Sequence, residues 1–159
     1  MTPPFLLRFL GSMALALVVT VGLLHAGLYN KVVQIGMTAA NFENLTGTDG
    51  QNHSLSDFKE DVLVLVFLAN HCPWSHGNDR DLIKLVNDYN GKSVHAIGIG
   101  ANLRREDALP AMKEYAAKAG FNFLYLHDPT QQIGCRLGAT HTPECFVLNK
   151  ERKIVYTGC

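Results

Sequence analysis

Charge is scarce in this chain of 159 residues, with Asp, Glu, Lys and Arg together only 18% of the total. Soluble domains usually carry roughly 25%, and the deficit lies mostly in the first thirty positions. Lys plus Arg equals Asp plus Glu at 14 each, and no stretch collects positive charge. The basic footprint needed to hold a phosphate backbone is therefore missing, which excludes nucleic acid as a partner. Cysteine is sparse too: Cys72, Cys135, Cys145 and Cys159 are too few and too widely spaced for a disulfide-stapled miniprotein. No Cys-x-x-Cys pair exists to make a zinc knuckle, so a structural metal site is excluded and no cofactor is expected. Internal repeats and low-complexity tracts are absent as well. The residues beyond the N-terminal segment suffice for one domain with one core.

What the N-terminus does have is a long apolar run. Arg8 precedes sixteen uncharged residues, Phe9 to Leu24, and the apolar character fades through Leu28. Residues 1–28 read as a signal peptide or a membrane anchor, since the run lies between a secretory h-region of about 7 to 15 residues and a spanning helix of about 20. A small-x-small cleavage site is poorly formed, because Leu24 stands two before Ala26 and Thr20-Val-Gly22 lies inside the run. An uncleaved anchor is the expectation, with Arg8 on the cytoplasmic side and residues 29–159 outside, on the periplasmic side in a bacterium. A buried core helix fails as an explanation, because no other segment is apolar enough to cover two turns that are hydrophobic all round.

Downstream, the period of apolar residues alternates between strand and helix. Asn41 to Leu45 and Gln51 to Leu55 flank an Asp-Gly turn at Gly47-Thr-Asp-Gly50, which predicts an N-terminal hairpin. The continuous run Val62 to Leu68 has the character of a central strand buried on both faces. Leu82, Leu85, Val86 and Tyr89 keep helical spacing after Pro73, and Asn90-Gly91 is the expected stop. Val94 to Ile99 predicts a second strand and Glu106 to Ala119 a second helix ending at Gly120. A short strand over 121–126, a short helix over 129–137 and a hairpin of 145–148 with 154–156 complete the order.

Chemistry concentrates where the first strand feeds the first helix. A thiol there faces unpaired backbone N–H groups and the positive end of the helix dipole, both of which favour the thiolate, so Cys72 is placed to be a nucleophile. Pro73 suits the first helical turn, where its missing N–H costs nothing. Trp74 either shields the thiol or presents an apolar surface, with a half-buried packing role as the plainer expectation.

The segment Phe67-Leu-Ala-Asn-His-Cys72-Pro-Trp-Ser75 and the loop Ala139-Thr-His-Thr-Pro143 resemble the paired active-site segments of thioredoxins. Together with Gly36-Met-Thr-Ala-Ala-Asn-Phe42, Asp128-Pro-Thr-Gln131 and Gly138-Ala-Thr-His-Thr-Pro-Glu144, they resemble the redoxin branch that includes alkyl hydroperoxide reductase and thiol-specific antioxidant proteins. The resemblance implies a thioredoxin-like three-layer α/β sandwich with a central mixed sheet and an N-terminal hairpin extension. The last helix usual in such domains is expected to be missing after the final hairpin. It implies thiol-disulfide exchange or peroxide reduction by Cys72, a thiol, disulfide or peroxide substrate, and an external thiol reductant. It also implies a cis bond before Pro143 that turns the Thr142 backbone toward the thiol, where an extended peptide could pair with it.

Three positions depart from the relatives. Ser75 stands where a dithiol oxidoreductase has its second cysteine, Ala69 where others have a further thiol, and Ala69 and Leu65 where peroxiredoxins carry Thr or Ser and Pro. Resolution must then come from elsewhere, and Cys135, Cys145 and Cys159 are the candidates, although the first two also suit packing. His71 and His76 flank Cys72, and with His141 they suggest a second reading, a soft copper site in an exported chaperone. A catalytically weak binding domain is the third. In the leading reading His71, Pro73, Trp74, Ser75 and His76 shape the site. A reporter fused after Cys159 is expected to be active outside the cytoplasm and to stay with membranes after alkaline washing. Release of a shorter soluble product would show instead that the signal is cleaved.

Overall fold

The computed structural model describes residues 30–159. Its strands are β1 (Leu45–Gly47), β2 (Asn52–His53), β3 (Val62–Leu68), β4 (Val94–Gly100), β5 (Leu124–His127), β6 (Glu144–Leu148) and β7 (Ile154–Gly158). Its α-helices are α1 (Pro73–Asp88), α2 (Leu109–Ala119) and α3 (Gln132–Leu137). The strands form one mixed sheet in the order β2-β1-β5-β4-β3-β6-β7. β3 runs parallel to β4 and antiparallel to β6, and β4 is parallel to β5.

The period-two geometry of a strand explains why β3 is apolar throughout. Leu63, Leu65 and Phe67 join the core on the face covered by Phe42, Leu55, Phe58 and the α3 residues Ile133 and Leu137. Val64, Val66 and Leu68 point the other way, into a second core closed by Leu82, Leu85 and Val86 of α1 and Met112 and Ala116 of α2. The result is three layers, helix, sheet and helix. Its central strand ends at the residues leading to Cys72.

Where the structure differs from sequence expectation, local chemistry accounts for it. The N-terminal hairpin exists, but its strands are shorter and shifted toward Gly47-Thr-Asp-Gly50, with residues 41–43 outside any strand. The turn is closed by Gly47 N–H donating to the Gln51 carbonyl at 2.8 Å, and Gly50 takes φ +85°. The helix expected from Glu106 begins at Leu109, after a 3-10 turn over Arg105–Asp107, because Pro110 is tolerated only in a helix's first turn. α1 stops at Asp88, and Tyr89, not Gly91, caps it. α3 starts at Gln132 because Asp128 uses its carboxylate to bind the Ile133 N–H at 2.8 Å, turning residues 129–131 into an approach. Residues 121–123 precede β5 instead of belonging to it.

The expected signal or anchor over 1–28 lies outside the described residues. Among the described residues no helix is long and apolar enough to cross a membrane.

Two glycines let α2 and β5 sit close to β4. A Cβ on Gly98 would lie 2.8 Å from Tyr125 Cδ2 and 3.1 Å from Leu68 Cδ1, and one on Gly100 would lie 2.8 Å from Met112 Cε. All three neighbours are buried. Overpacking of this kind costs about 1–3 kcal/mol, so Gly98→Val should lower stability by that amount in urea unfolding. An unchanged midpoint would show that the Tyr125 ring can move aside.

Candidate active site

The polypeptide leaves β3 at Leu68 and turns through Ala69, Asn70 and His71 before Cys72, which is the N-cap of α1 with φ −91° and ψ 115°. Pro73 occupies the first helical turn. Cys72 is half-buried, and as a thiol it donates from Sγ to the Thr142 carbonyl oxygen at 3.3 Å. That contact favours the neutral form. Burial also raises the thiol's pKa, but hydrogen bonding from the Thr142 side chain, the Ser75 and Trp74 amides and the Ser75 hydroxyl outweighs both, and the pKa falls below the ordinary 9.0.

Ser75, only 2% exposed, does more than fill the place of a second thiol. Its Oγ accepts the Ala69 N–H at 3.2 Å, tying the first turn of α1 to the end of β3. Trp74 is not half-buried: at 78% exposure it stands in solvent beside the thiol. Position 74, in the first turn of a helix that packs through residues 82, 85 and 86, has no neighbouring layer to cover it.

Facing α1 is the loop Ala139 to Pro143. The Thr142–Pro143 peptide bond is cis. Glu144, buried at the start of β6, gathers this loop by accepting the Thr140 N–H at 2.8 Å and the His141 N–H at 3.4 Å. Behind the loop lies a cleft of about 250 Å³ whose walls include Phe67, Asn102, Gln131, Cys135, His141 and Thr142.

The imidazoles do not assemble into a metal site. His71 turns its Nδ1 to Asp107, His76 bonds through Nε2 to the Asn70 carbonyl and stacks on Tyr115 at 5.0 Å, and His141 Nδ1 bonds to the Thr140 hydroxyl at 2.9 Å. Among the described residues no group of three His, Cys, Asp or Glu side chains could hold a metal ion. The copper reading thus loses the convergence it required.

All four cysteines are free. Cys145 lies in β6 opposite Val66, against the α1 and α2 core, and burial pushes its thiol up to about 11. A thiol so placed is a poor resolving group. Cys135 is exposed and shares the cleft with Thr142, while Cys159 is exposed just beyond β7.

Asp107 was not visible from sequence. It is 0% exposed, yet it belongs to the run Arg104-Arg105-Glu106-Asp107, which reads as a solvated turn. Its Oδ1 accepts the Asn70 N–H at 2.6 Å and its Oδ2 bonds His71 Nδ1, so both carboxylate oxygens face the turn that precedes Cys72. A proline two residues into the following helix was the only available hint that this segment bends inward.

Comparison with known proteins agrees with this arrangement. The Redoxin family model matches residues 34–159. Among solved structures, an uncharacterized conserved protein from Geobacillus kaustophilus is 35% identical, with TM-score 0.75 over 79% of this chain and 68% of that one. A hypothetical protein from Sinorhizobium meliloti is 30% identical, with TM-score 0.75 over 80% and 71%. The thioredoxin domain of a thiol-disulfide oxidoreductase from Bacteroides vulgatus shares the fold at 20% identity, with TM-score 0.69 over 80% and 89%. No curated protein matches the chain.

The different surroundings of the two central thiols give a direct expectation. With iodoacetamide at pH 6, Cys72 should be alkylated at least tenfold faster than Cys145, as read by mass spectrometry of the two peptides. Equal rates in folded protein would remove the nucleophile reading.

Proposed function

The chain belongs to the Redoxin family, and on that footing we propose that it is a thiol-dependent oxidoreductase whose Cys72 thiolate carries out thiol-disulfide exchange. One observation carries the reading: the Cys72 sulfur sits at the start of α1, 3.3 Å from the Thr142 carbonyl, with its pKa held below the ordinary value. Disulfide chemistry is preferred to peroxide reduction because Ala69 and Leu65, both buried, supply no hydroxyl or proline where the resembling peroxidases have them.

In this reading the thiolate attacks one sulfur of a protein or small-molecule disulfide. A Cys72–sulfur bond forms, the substrate S–S bond breaks, and the leaving thiolate takes a proton from water. Ser75, whose hydroxyl is scarcely ionised, cannot attack the mixed disulfide. An external thiolate therefore completes the cycle, regenerating the Cys72 thiolate and leaving with the substrate sulfur as a new disulfide. Thr142 and Pro143 form the wall against which the substrate sulfur approaches, and exposed Trp74 offers it an apolar edge. His71, Pro73, Ser75 and His76 shape this site around the thiol. The apolar segment Phe9 to Leu24 supports an exported, membrane-anchored location, outside the cytoplasm and with access to oxidised substrates.

Treatment with oxidised glutathione tests this. The wild type should accumulate a glutathione adduct on Cys72. Ser75→Cys places a thiol one helical turn from the adduct, at the cost of the bond to Ala69, about 1 kcal/mol. That variant should release glutathione without added thiol and retain a disulfide to the introduced sulfur. If the wild type releases the adduct alone, replacing Cys135, Cys145 and Cys159 in turn by Ala would identify the resolving thiol. Absence of any adduct would favour the weak binding domain.

A further inference from the structure

The turn that delivers Cys72 is held from outside, by a segment that neither β3 nor α1 contains. Asn70 and His71 are bound by the 3-10 turn Arg105–Asp107, more than thirty residues away, through three contacts. Asp107 Oδ1 accepts the Asn70 N–H at 2.6 Å, Asp107 Oδ2 bonds His71 Nδ1, and the Glu106 carbonyl accepts Asn70 Nδ2 at 2.8 Å. The Tyr125 hydroxyl closes the ring by donating to Asn70 Oδ1 at 3.3 Å. His71 and Tyr125 are the titratable groups that face Asp107.

Stability does not explain why a carboxylate is used. A fully buried ionised group costs several kcal/mol to desolvate, and replacing buried ion pairs by apolar residues of similar volume is often neutral or favourable. What a carboxylate uniquely supplies here is two acceptors in one rigid plane, aimed at consecutive residues of a single turn. Fixing both residues fixes where the next one begins α1. The sulfur's hydrogen bonding to the Trp74 and Ser75 amides depends on that starting point.

We propose that Asp107, acting with Asn70, is a positioning residue for Cys72: a clamp from the segment inserted between β4 and α2 sets where the thiol meets the first turn of α1. The inference rests on Cys72 being the reacting thiol. Asp107 touches neither substrate nor sulfur in it, and works through Asn70 and His71.

The test reads the pH midpoint of Cys72 alkylation by iodoacetamide in the full-length chain. Asp107→Leu removes both tethers, and Asn70→Ala removes the Glu106 and Tyr125 contacts without touching the carboxylate. Loosening the turn should raise the midpoint in each, slowing alkylation at pH 6 about tenfold for each unit of rise. A carboxylate acting only as a nearby negative charge predicts the opposite sign for Asp107→Leu, because its removal favours the thiolate. A midpoint in Asp107→Leu at or below that of the wild type therefore overturns the proposal. Should that variant fail to fold, Asn70→Ala decides by the same criterion. Asp128→Asn is the control, an equally buried carboxylate that binds the Thr130 hydroxyl at 2.7 Å and the Ile133 amide. It should leave the midpoint in place, and an equal rise there would reduce the effect to general loosening and overturn the clamp. A wild-type midpoint as high as that of a free cysteine would instead remove the thiolate reading of Cys72, a result distinct from a low midpoint that neither variant moves.

Discussion

The burial of β3 on both faces is the constraint on which the rest of the molecule depends. A strand with Leu63, Leu65 and Phe67 on one side and Val64, Val66 and Leu68 on the other must be covered twice. Covering it requires helices above and below and strands on both flanks. Those requirements place β4 and β6 beside it and leave its C-terminal end as the point where the chain emerges. Reactive groups gather at that end because backbone atoms there are fixed by the sheet yet open to solvent.

Two elements that are remote in sequence then meet the emerging chain. From one side comes the loop before β6, organised by the buried Glu144, which brings the Thr142 carbonyl to the sulfur. From the other comes the segment between β4 and α2, with Asp107 and Glu106 on the turn. Both use a carboxylate to bind backbone N–H groups of a short irregular stretch. Neither loop has a regular ladder to satisfy its amides, and a carboxylate offers two acceptors where a helix or strand would offer one per residue.

How far such an arrangement can be read in advance depends on the range of the interactions. The alternation in β3, the helical spacing after Pro73 and the Asp-Gly turn at residues 49 and 50 are local, and each element was legible from its own residues. So was the position of Cys72, since a thiol one residue before a proline-led helix is a statement about neighbours in sequence. The start of α2 was misplaced because Glu106 and Asp107 look like ordinary first-turn acids, and only the tertiary pairing of Asp107 with Asn70 and His71 shows that they belong to a separate turn. The exposure of Trp74 was misjudged for the same reason: its environment is decided by which layer α1 faces. The three histidines share a corner of the sequence pattern, but each has a partner nearer than the others. Proximity along the chain overstated their convergence.

The exposure of Trp74 has an optical consequence. It is the only tryptophan in the chain, it stands two residues from the reactive sulfur, and most of its surface is already in water. Its indole therefore passes from one aqueous setting to another when the domain unfolds, and its emission is a weak reporter of the fold. A polypeptide or small molecule that reaches Cys72 along the face of α1 must pass over the ring and displace its water. Tryptophan fluorescence in this protein thus follows the occupancy of the thiol's doorstep more closely than the integrity of the core.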